Sequence, residues 1–417
     1  MMDLEETVRY SAKEVLSIAT TIGFDLLKHG AEVYRVEETI SRICSAYGYE
    51  DSHIFAIGSN ITASVFDGGV TRTETRRIKV RGINLDKIDK LNDLSRKVCN
   101  ETPDLSSVRD YIKEIEQKSV YPLWVMILAD AVISASFALF FGGFVKEAAF
   151  AFFAGAIARI FSTMAGKLSN HNYSKIALSS FVVAAVAYSS SICFENVHGD
   201  VIVIGAIMTL VPGIAVTNAL RDLFSGDTIT GITAFTESIL VAVAIAIGVA
   251  VAMVIIPPNP AISGGDSWNR DIIQIVTAFI ATGGFMIFFN VKGDNVFLGG
   301  LLGAVSWSVY LAFRGMFATD IMQYFFAGVA LSLCAEIFAR IKKSPITVYI
   351  IAGIIPLVPG STIYYAMKFF LLGSMPEFSE KMVYMIKIGG AIALGIALAH
   401  AVFVLFVKYC FKGGKKV

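Results

Sequence analysis

The sequence predicts a polytopic α-helical membrane protein: about ten transmembrane helices in a 5+5 inverted repeat, preceded by a small cytoplasmic α+β domain. Three observations carry this. The 417 residues are 55% hydrophobic and 17% charged, with a mean hydropathy of +0.66, too apolar for an ordinary soluble protein. The long polar stretches nearly all fall within residues 1–118, and the composition changes abruptly at Tyr121-Pro122. Leu210-Val211-Pro212-Gly213 returns as Leu357-Val358-Pro359-Gly360, the prolines 359 − 212 = 147 positions apart.

The polar part comes first. The opening residues are acidic and amphipathic, without a basic flank leading into an apolar core, so no cleavable signal peptide is expected and this part stays in the cytoplasm. Val15, Ile18, Ile22 and Leu26 recur at helical spacing, and Gly30 breaks the run. A second helix follows, with Val33, Val36, Ile40, Ile43 and Tyr47 on one face and Glu32, Arg35, Glu38 and Arg42 on the other. Glu32–Arg35 and Glu38–Arg42 read as i,i+3 and i,i+4 ion pairs on a solvated face. Period-two patterning then predicts strands over 53–57, 61–66 and 72–81. Arg72, Arg76, Arg77, Lys79 and Arg81 give the third strand a basic face, either an anion-attracting surface or an edge protected by charge. Two helices, 84–99 and 104–118, close the domain around Pro103. No Walker loop, Rossmann fingerprint or HExxH motif is present. His53 with Ser59 or Ser64 is the one imaginable hydrolytic pairing, and a lone His with scattered serines is weak support for it.

From residue 122 onward, the rule of about 20 apolar residues per crossing predicts spans over 122–141, 147–166, 175–194, 201–220, 229–256, 271–290, 295–313, 320–340, 346–370 and 384–408. The longest break, Pro257 to Arg270, divides them into five and five, giving domains 1–118, 119–256 and 271–417. The Gly155-Ala156 pair matches Gly303-Ala304 at an offset of 303 − 155 = 148. An odd number of spans per half inverts the second half, the architecture of many secondary transporters. With the N-terminal domain inside, inner loops carry Lys167, Lys175, Arg221, Lys292, Arg340, Lys342 and Lys343, and the tail carries Lys412, Lys415 and Lys416. Outer loops carry only Lys146, Arg270, Arg314 and Lys381. The bias puts both termini in the cytoplasm and the protein in the cell membrane as a multi-pass chain.

Pro removes a backbone donor, and Gly adopts conformations other residues avoid. Paired inside a span they break it, and such backbone survives at membrane depth only packed in protein or lining a wet cavity. Matching interruptions in two halves are the best sequence pointer to a transporter's binding site. The alternative is a pair of ordinary kinked helices. Pro212, Gly213, Asn218, Pro359, Gly360 and Ser361 are therefore candidates for a substrate pathway. Asp130, Arg159 and Glu237 are ionisable at depth, where they are costly; each carboxylate either carries a proton or sits in a structural pair. Arg221, Asp222 and Asp227 follow the first break and either guard a cytoplasmic entrance or cap neighbouring helices. Glu336 and Arg340 read as an i,i+4 surface pair. Net charge is +1, and Cys44, Cys99, Cys193, Cys334 and Cys410 are scattered. Nothing argues for nucleic acid, a disulfide framework, a metal site or a cofactor.

The segment GAEVYRVEETISRICSAYG (Gly30–Gly48) resembles the start of the threonine/serine exporter family, and LVPGIAVTNALRDLFSGDTITGI (Leu210–Ile232) resembles its membrane motif. PLVPGS (Pro356–Ser361) looks like the matching motif of the C-terminal half. The resemblance spans the whole chain, as a fused form of two five-span units that are separate proteins in the succinate-exporting relatives. It implies export of small polar metabolites driven by an ion gradient, protons first, with threonine or serine as cargo. It singles out Gly30, Glu32, Arg35, Glu37 and Glu38, then Pro212, Gly213, Asn218, Arg221, Asp222, Gly226, Asp227, Gly231 and Glu237, and Pro359 with Gly360. Ala234 stands where relatives often carry a basic residue, which leaves the cargo open. A dicarboxylate exporter is the first alternative, and a membrane enzyme with a hydrolytic cytoplasmic domain the second. The expected partners are a small polar substrate, membrane lipid and a second copy of the chain as a homodimer.

Overall fold

A computed structural model describes residues 10–79, 82–118, 121–168, 172–224, 226–257 and 270–411. Arg81, Lys412, Lys415, Lys416 and most of the loop dividing the halves lie outside the described residues. The chain forms two compact units, residues 1–120 with 289–291, and residues 121–288 with 292–417.

The N-terminal unit is α+β. Helix α1 (Ala12–Lys28) starts at a capping box: Ser11 Oγ accepts from the Glu14 N–H, and the Glu14 carboxylate accepts from the Ser11 N–H. It buries Val15, Ile18, Ile22 and Leu26 and ends before Gly30, whose φ of 97° suits glycine. Helix α2 (Val33–Ala46) buries Val36, Ile40 and Ile43. Strands β1 (Ser52–Ile57), β2 (Asn60–Asp67) and β3 (Val70–Arg77) form an antiparallel sheet in the order β1-β2-β3. Alternate residues Ile61, Ala63 and Val65 of β2 are buried, and β2 packs on α1. Helices α3 (Leu85–Glu101) and α4 (Leu105–Gln117) complete the unit, each N-capped by a side chain, Asn84 and Asp104.

The expected single basic face of the third strand is corrected. Arg76 and Arg77 are sequence neighbours, so the pleat turns them to opposite faces. Arg76 pairs with Glu74 at 2.7 Å and donates to the Ser17 carbonyl of α1 at 3.3 Å. The strand ends at Arg77, four residues short of the expected boundary.

One cluster gives this unit a pH dependence. Glu116 lies 2.6 Å from Lys28, 2.5 Å from His29 and 3.3 Å from Lys87. Burial alone would raise the Glu116 pKa, but its bonds from Lys28 and His29 and the charge of Lys87 hold it down at about 2. Asp25, 5% exposed, is pushed up to about 6, first by burial and then by Glu116. The folded unit therefore binds the Asp25 proton more tightly than the unfolded chain does. This contribution is fully favourable below pH 3.8 and is lost as pH rises through 6. The rise from 3.8 to about 6 is worth about 3 kcal/mol. Asp25→Asn is expected to stabilise the unit at pH 7 by up to about that amount. Hydrogen exchange of the α1 amides in the full chain checks it, with the gain shrinking to nothing as pH falls below 3.8.

Among the described residues of the second unit the only regular elements are helices: α5 (Leu123–Phe140), α6 (Val145–Leu168), α7 (Asn172–Cys193), α8 (Gly199–Ile207), α9 (Gly213–Phe224), α10 (Thr228–Ile255), α11 (Arg270–Phe288), α12 (Asp294–Ala312), α13 (Ile321–Lys342), α14 (Ile346–Gly353), α15 (Gly360–Leu371) and α16 (Met375–Phe411). Eight described helices are long and apolar enough to cross a membrane. The other four are short and come in two consecutive pairs, α8–α9 and α14–α15, where the spans over 201–220 and 346–370 that the Pro-Gly pairs interrupt are expected. Pro212 and Pro359 cannot donate to the preceding turn, so each helix stops and restarts at the following glycine. Helix α16 begins nine residues before the expected 384.

Helix pairing recurs. The contacts of α5 with α6, α6 with α7, α7 with α10 and α9 with α10 have counterparts in α11 with α12, α12 with α13, α13 with α16 and α15 with α16. The glycines at offset 148 explain part of this. A Cβ on Gly155 would meet Ser134 Oγ at 2.2 Å and the Asp130 carbonyl at 2.8 Å. One on Gly303 would meet Thr282 Oγ1 at 2.1 Å and the Ala278 carbonyl at 3.1 Å. The same close helix approach is thus built twice from the same residue spacing. The halves also interlock, since α9 packs on α16, α15 packs on α10 and α5 packs on α11.

Candidate functional site

The two Pro-Gly breaks meet. A Cβ on Gly213 would lie 2.0 Å from Val358 Cγ1 and 3.8 Å from Gly360 Cα. One on Gly360 would lie 3.2 Å from Met208 Sδ and 3.5 Å from Val211 Cγ1. Each break is closed by short turns: Leu210 and Val211 donate to the Ile207 carbonyl, and Leu357 and Val358 donate to the Ile354 carbonyl. Buried Ser306 donates to the Gly353 carbonyl at 3.0 Å, supplying a partner at the end of α14 where the helix can no longer do so. Helices α9 and α15 begin at this junction, and their N-terminal amides carry partial positive charge there.

Asn218, Arg221 and Asp222 share one face of α9 at i, i+3 and i+4, and all are partly buried. Asp222 lies 3.8 Å from Arg221, and its carbonyl accepts from the Asp227 N–H at 3.0 Å. Asp227 stands at the N-cap of α10 without a side-chain cap bond. Ser361, Tyr365 and Lys368 hold the matching face of α15, all partly buried.

The structure brings Asp130 and Arg159 together. Asp130 Oδ2 lies 3.4 Å from Arg159 Nε, with the Asp130 side chain 4% exposed. Asp130 Oδ1 has no hydrogen-bond partner among the described residues. The Arg159 guanidinium also stands over the Phe288 ring at 5.2 Å. The Gly155 contact sets the pair, because only a small residue lets α6 approach α5 so closely. Glu237 is not gathered here. It lies on an exposed face of α10, which packs on α7, α9 and α15, whereas the Asp130 helix packs on α6, α8 and α11. Glu336 pairs with Arg340 at 3.9 Å, as its spacing predicts, and more closely with His400 of α16 at 2.6 Å.

An ion pair between the halves was not anticipated. Lys368 Nζ lies 3.2 and 3.3 Å from the two oxygens of Asp200, at the start of α8, and Tyr188 donates to Asp200 at 3.4 Å. The repeat offset was the available signal: Lys368 stands 368 − 221 = 147 positions after Arg221. Lys368→Gln and Asp200→Asn are each expected to alter flux. Exchanging the charges, Asp200→Lys with Lys368→Asp, should recover part of the loss. A double-mutant cycle on unfolding should return a coupling of about 0.2–1 kcal/mol, because the pair is partly solvated.

In the N-terminal unit, Glu32 and Arg35 lie 3.7 Å apart, and Glu38 and Arg42 2.5 Å apart. Glu37 is architectural: it accepts from the Ala56 N–H of β1 at 2.8 Å and ties α2 to the sheet. The His53 side chain is 86% exposed and lies 3.3 Å from Asp51. His53 and Ser64 are cross-strand partners, and Ser64 Oγ lies 2.8 Å from Thr73 Oγ1.

Residues 17–256 match the family model described as "Putative threonine/serine exporter". Residues 274–402 match the one described as "Threonine/Serine exporter, ThrE". The chain is 21% identical over 367 residues to the "Threonine/serine exporter" of Corynebacterium glutamicum, covering 85% of this chain and 75% of that protein. It is 28% identical over 218 residues to the "Probable succinate transporter subunit YjjP" of Klebsiella aerogenes, covering 52% of this chain and 84% of that one. The Escherichia coli protein of the same name is 28% identical over 234 residues, covering 55% and 90%. No solved structure matches the chain.

Proposed function

The chain belongs to the threonine/serine exporter family, and from that membership we propose that it exports threonine or serine across the cell membrane, with the cargo passing the junction of the two broken spans. Members of the family are transporters, and the chain is read as one rather than as an enzyme. The proposed architecture is ten crossings in two inverted five-span units, with both termini and the N-terminal unit in the cytoplasm and a second copy completing a homodimer in lipid. The recurring helix pairings and the paired glycines support the repeat.

The observation that carries the reading is the contact of the two Pro-Gly breaks, Gly213 against Val358 and Gly360 against Met208 and Val211. Two helix N-termini there favour a carboxylate, and irregular backbone offers carbonyls to an ammonium group. Asn218 and Ser361, one on each restarted helix, supply donors and acceptors for a hydroxyl. On this reading Arg221 and Asp222 stand on the cytoplasmic side of the junction, and Asp200 with Lys368 on the outer side. Opening toward either face then means parting one charged set while the other holds. Asp130 is the proposed proton carrier: it takes up a proton as the Arg159 pair loosens and gives it back when the pair reforms.

A dicarboxylate cargo is the second reading. Arg221 and Lys368 place one cation on each restarted helix, and the likeness to the succinate transporter subunits covers about half of the chain. Reconstitution in vesicles with an imposed pH gradient decides between them. Labelled threonine and serine should move with the gradient and succinate should not. Succinate flux without threonine flux selects the second reading, and no gradient-dependent flux of any of the three overturns both.

A further inference from the structure

The two edges of the N-terminal sheet differ. At the β1 edge the Ala56 N–H donates to Glu37 of α2 at 2.8 Å, and Ser41 of α2 meets Ser52 at 3.2 Å. At the other edge β3 is exposed at Val70, Thr71, Arg72, Thr73, Thr75 and Arg77, with no strand beside it among the described residues. The ladder fixes which backbone groups face out. The Ile78 N–H donates to Ser59 at 2.8 Å, and the register sets Arg72 against Val65 and Glu74 against Ala63. Antiparallel ladders alternate, so Arg72, Glu74 and Arg76 turn their N–H and C=O groups to β2. Thr71, Thr73 and Thr75 turn theirs outward, a row that templates another strand.

Side-chain charge decides which strand fits. Open edges are commonly guarded by like charges. Here Glu74 stands between Arg72 and Arg76, so the edge is complementary to itself in reverse. Arg72 has no ion pair among the described residues. Glu74 holds Arg76 through Oε1 at 2.7 Å, which leaves Oε2 to accept from a second guanidinium. We propose that β3 pairs antiparallel with β3 of a second copy of the chain, about a two-fold axis at Thr73. Thr73 then meets the partner's Thr73, and Thr71 meets the partner's Thr75, through the outward backbone groups. Arg72 falls opposite the partner's Glu74 twice over, at positions where side chains approach most closely. An axis at Thr75 would instead set Glu74 against Arg76, whose guanidinium is already held by Glu74 and the Ser17 carbonyl. Pairing uses up both open edges and leaves the α2-covered β1 edges outermost, so the assembly closes at two chains. The interface rests on the homodimer reading and names its surface.

Disulfide formation in the detergent-purified full chain tests this. In Thr73→Cys the new thiol meets its copy at the roughly 5.5 Å Cα separation of a hydrogen-bonded pair, within disulfide reach. Thr71→Cys has its copy about 14 Å away along the strand, out of reach, but faces a thiol when mixed with Thr75→Cys. Oxidation should link Thr73→Cys chains, and the mixed chains, above the background of the unsubstituted protein, whose Cys193 is exposed. Arg72→Glu sets two carboxylates together and should slow linking at Thr73→Cys about tenfold, and Glu74→Arg should do the same with two guanidiniums. Mixing these two charge variants restores opposite charges at both pairs. Linking should return in the mixture, which a misfolded variant would not allow. Thr71→Cys linking by itself as fast as Thr73→Cys overturns the register. Linking indifferent to Arg72→Glu overturns the interface. Molar mass in the same detergent separates the two readings: a dimer without linking at Thr73→Cys overturns the β3 interface alone, and a monomer overturns the homodimer as well.

Discussion

Asp130→Asn is expected to abolish gradient-driven flux, to the level of protein-free vesicles, while exchange of labelled for unlabelled cargo continues. The expectation rests on position. Asp130 is a nearly fully buried carboxylate with one oxygen 3.4 Å from Arg159 and the other without a hydrogen-bond partner among the described residues. Asn preserves shape and hydrogen bonding but cannot cycle a proton. It also leaves a partly buried guanidinium without its counter-charge, and losing one member of a buried pair costs up to about 3–5 kcal/mol. Part of any flux loss is therefore stability, which the double variant Asp130→Asn with Arg159→Gln separates. A purely structural pair regains both melting temperature and gradient-driven flux in the double variant. A coupling pair regains the melting temperature alone. Gradient-driven flux persisting in Asp130→Asn assigns the proton to another group.

The second large effect concerns the junction. Gly213→Val is expected to stop flux, and Val358→Ala in the same chain to restore much of it. A Cβ at position 213 falls 2.0 Å from Val358 Cγ1 and 3.3 Å from Val358 Cβ. The first clash is relieved by rotating the Val358 side chain, so Gly213→Ala should cost little. A branched side chain reaches past the Cβ and cannot be relieved that way. Overpacking of this kind costs about 1–3 kcal/mol, and here the strain would fall on the contact between the two halves. Rescue by a smaller residue across the junction is the discriminating result, because a local helix defect at Gly213 would not respond to position 358. Normal flux in Gly213→Val would mean that the two breaks need not touch during transport.

Other parts of the chain divide between local and non-local legibility. The helices and strands of the N-terminal unit follow from period and capping residues, and α1, α2 and the first two strands lie within about two residues of expectation. The third strand ran short, and its basic face split, because a strand's faces alternate whatever the charge pattern suggests. The broken spans were legible as Pro-Gly pairs, but their helix boundaries were not. Hydropathy sums apolar content and cannot register a helix that stops inside it.

The family membership, the membrane-spanning character and the two interruptions are all readable along the chain, since each depends on composition or on residues close in sequence. Tertiary structure alone set Asp130 beside Arg159 and Lys368 beside Asp200, and left Glu237 on an exposed face. Those outcomes depend on which helix faces meet. Small residues such as Gly155 decide that at the point of closest approach, and a hydropathy profile gives them almost no weight.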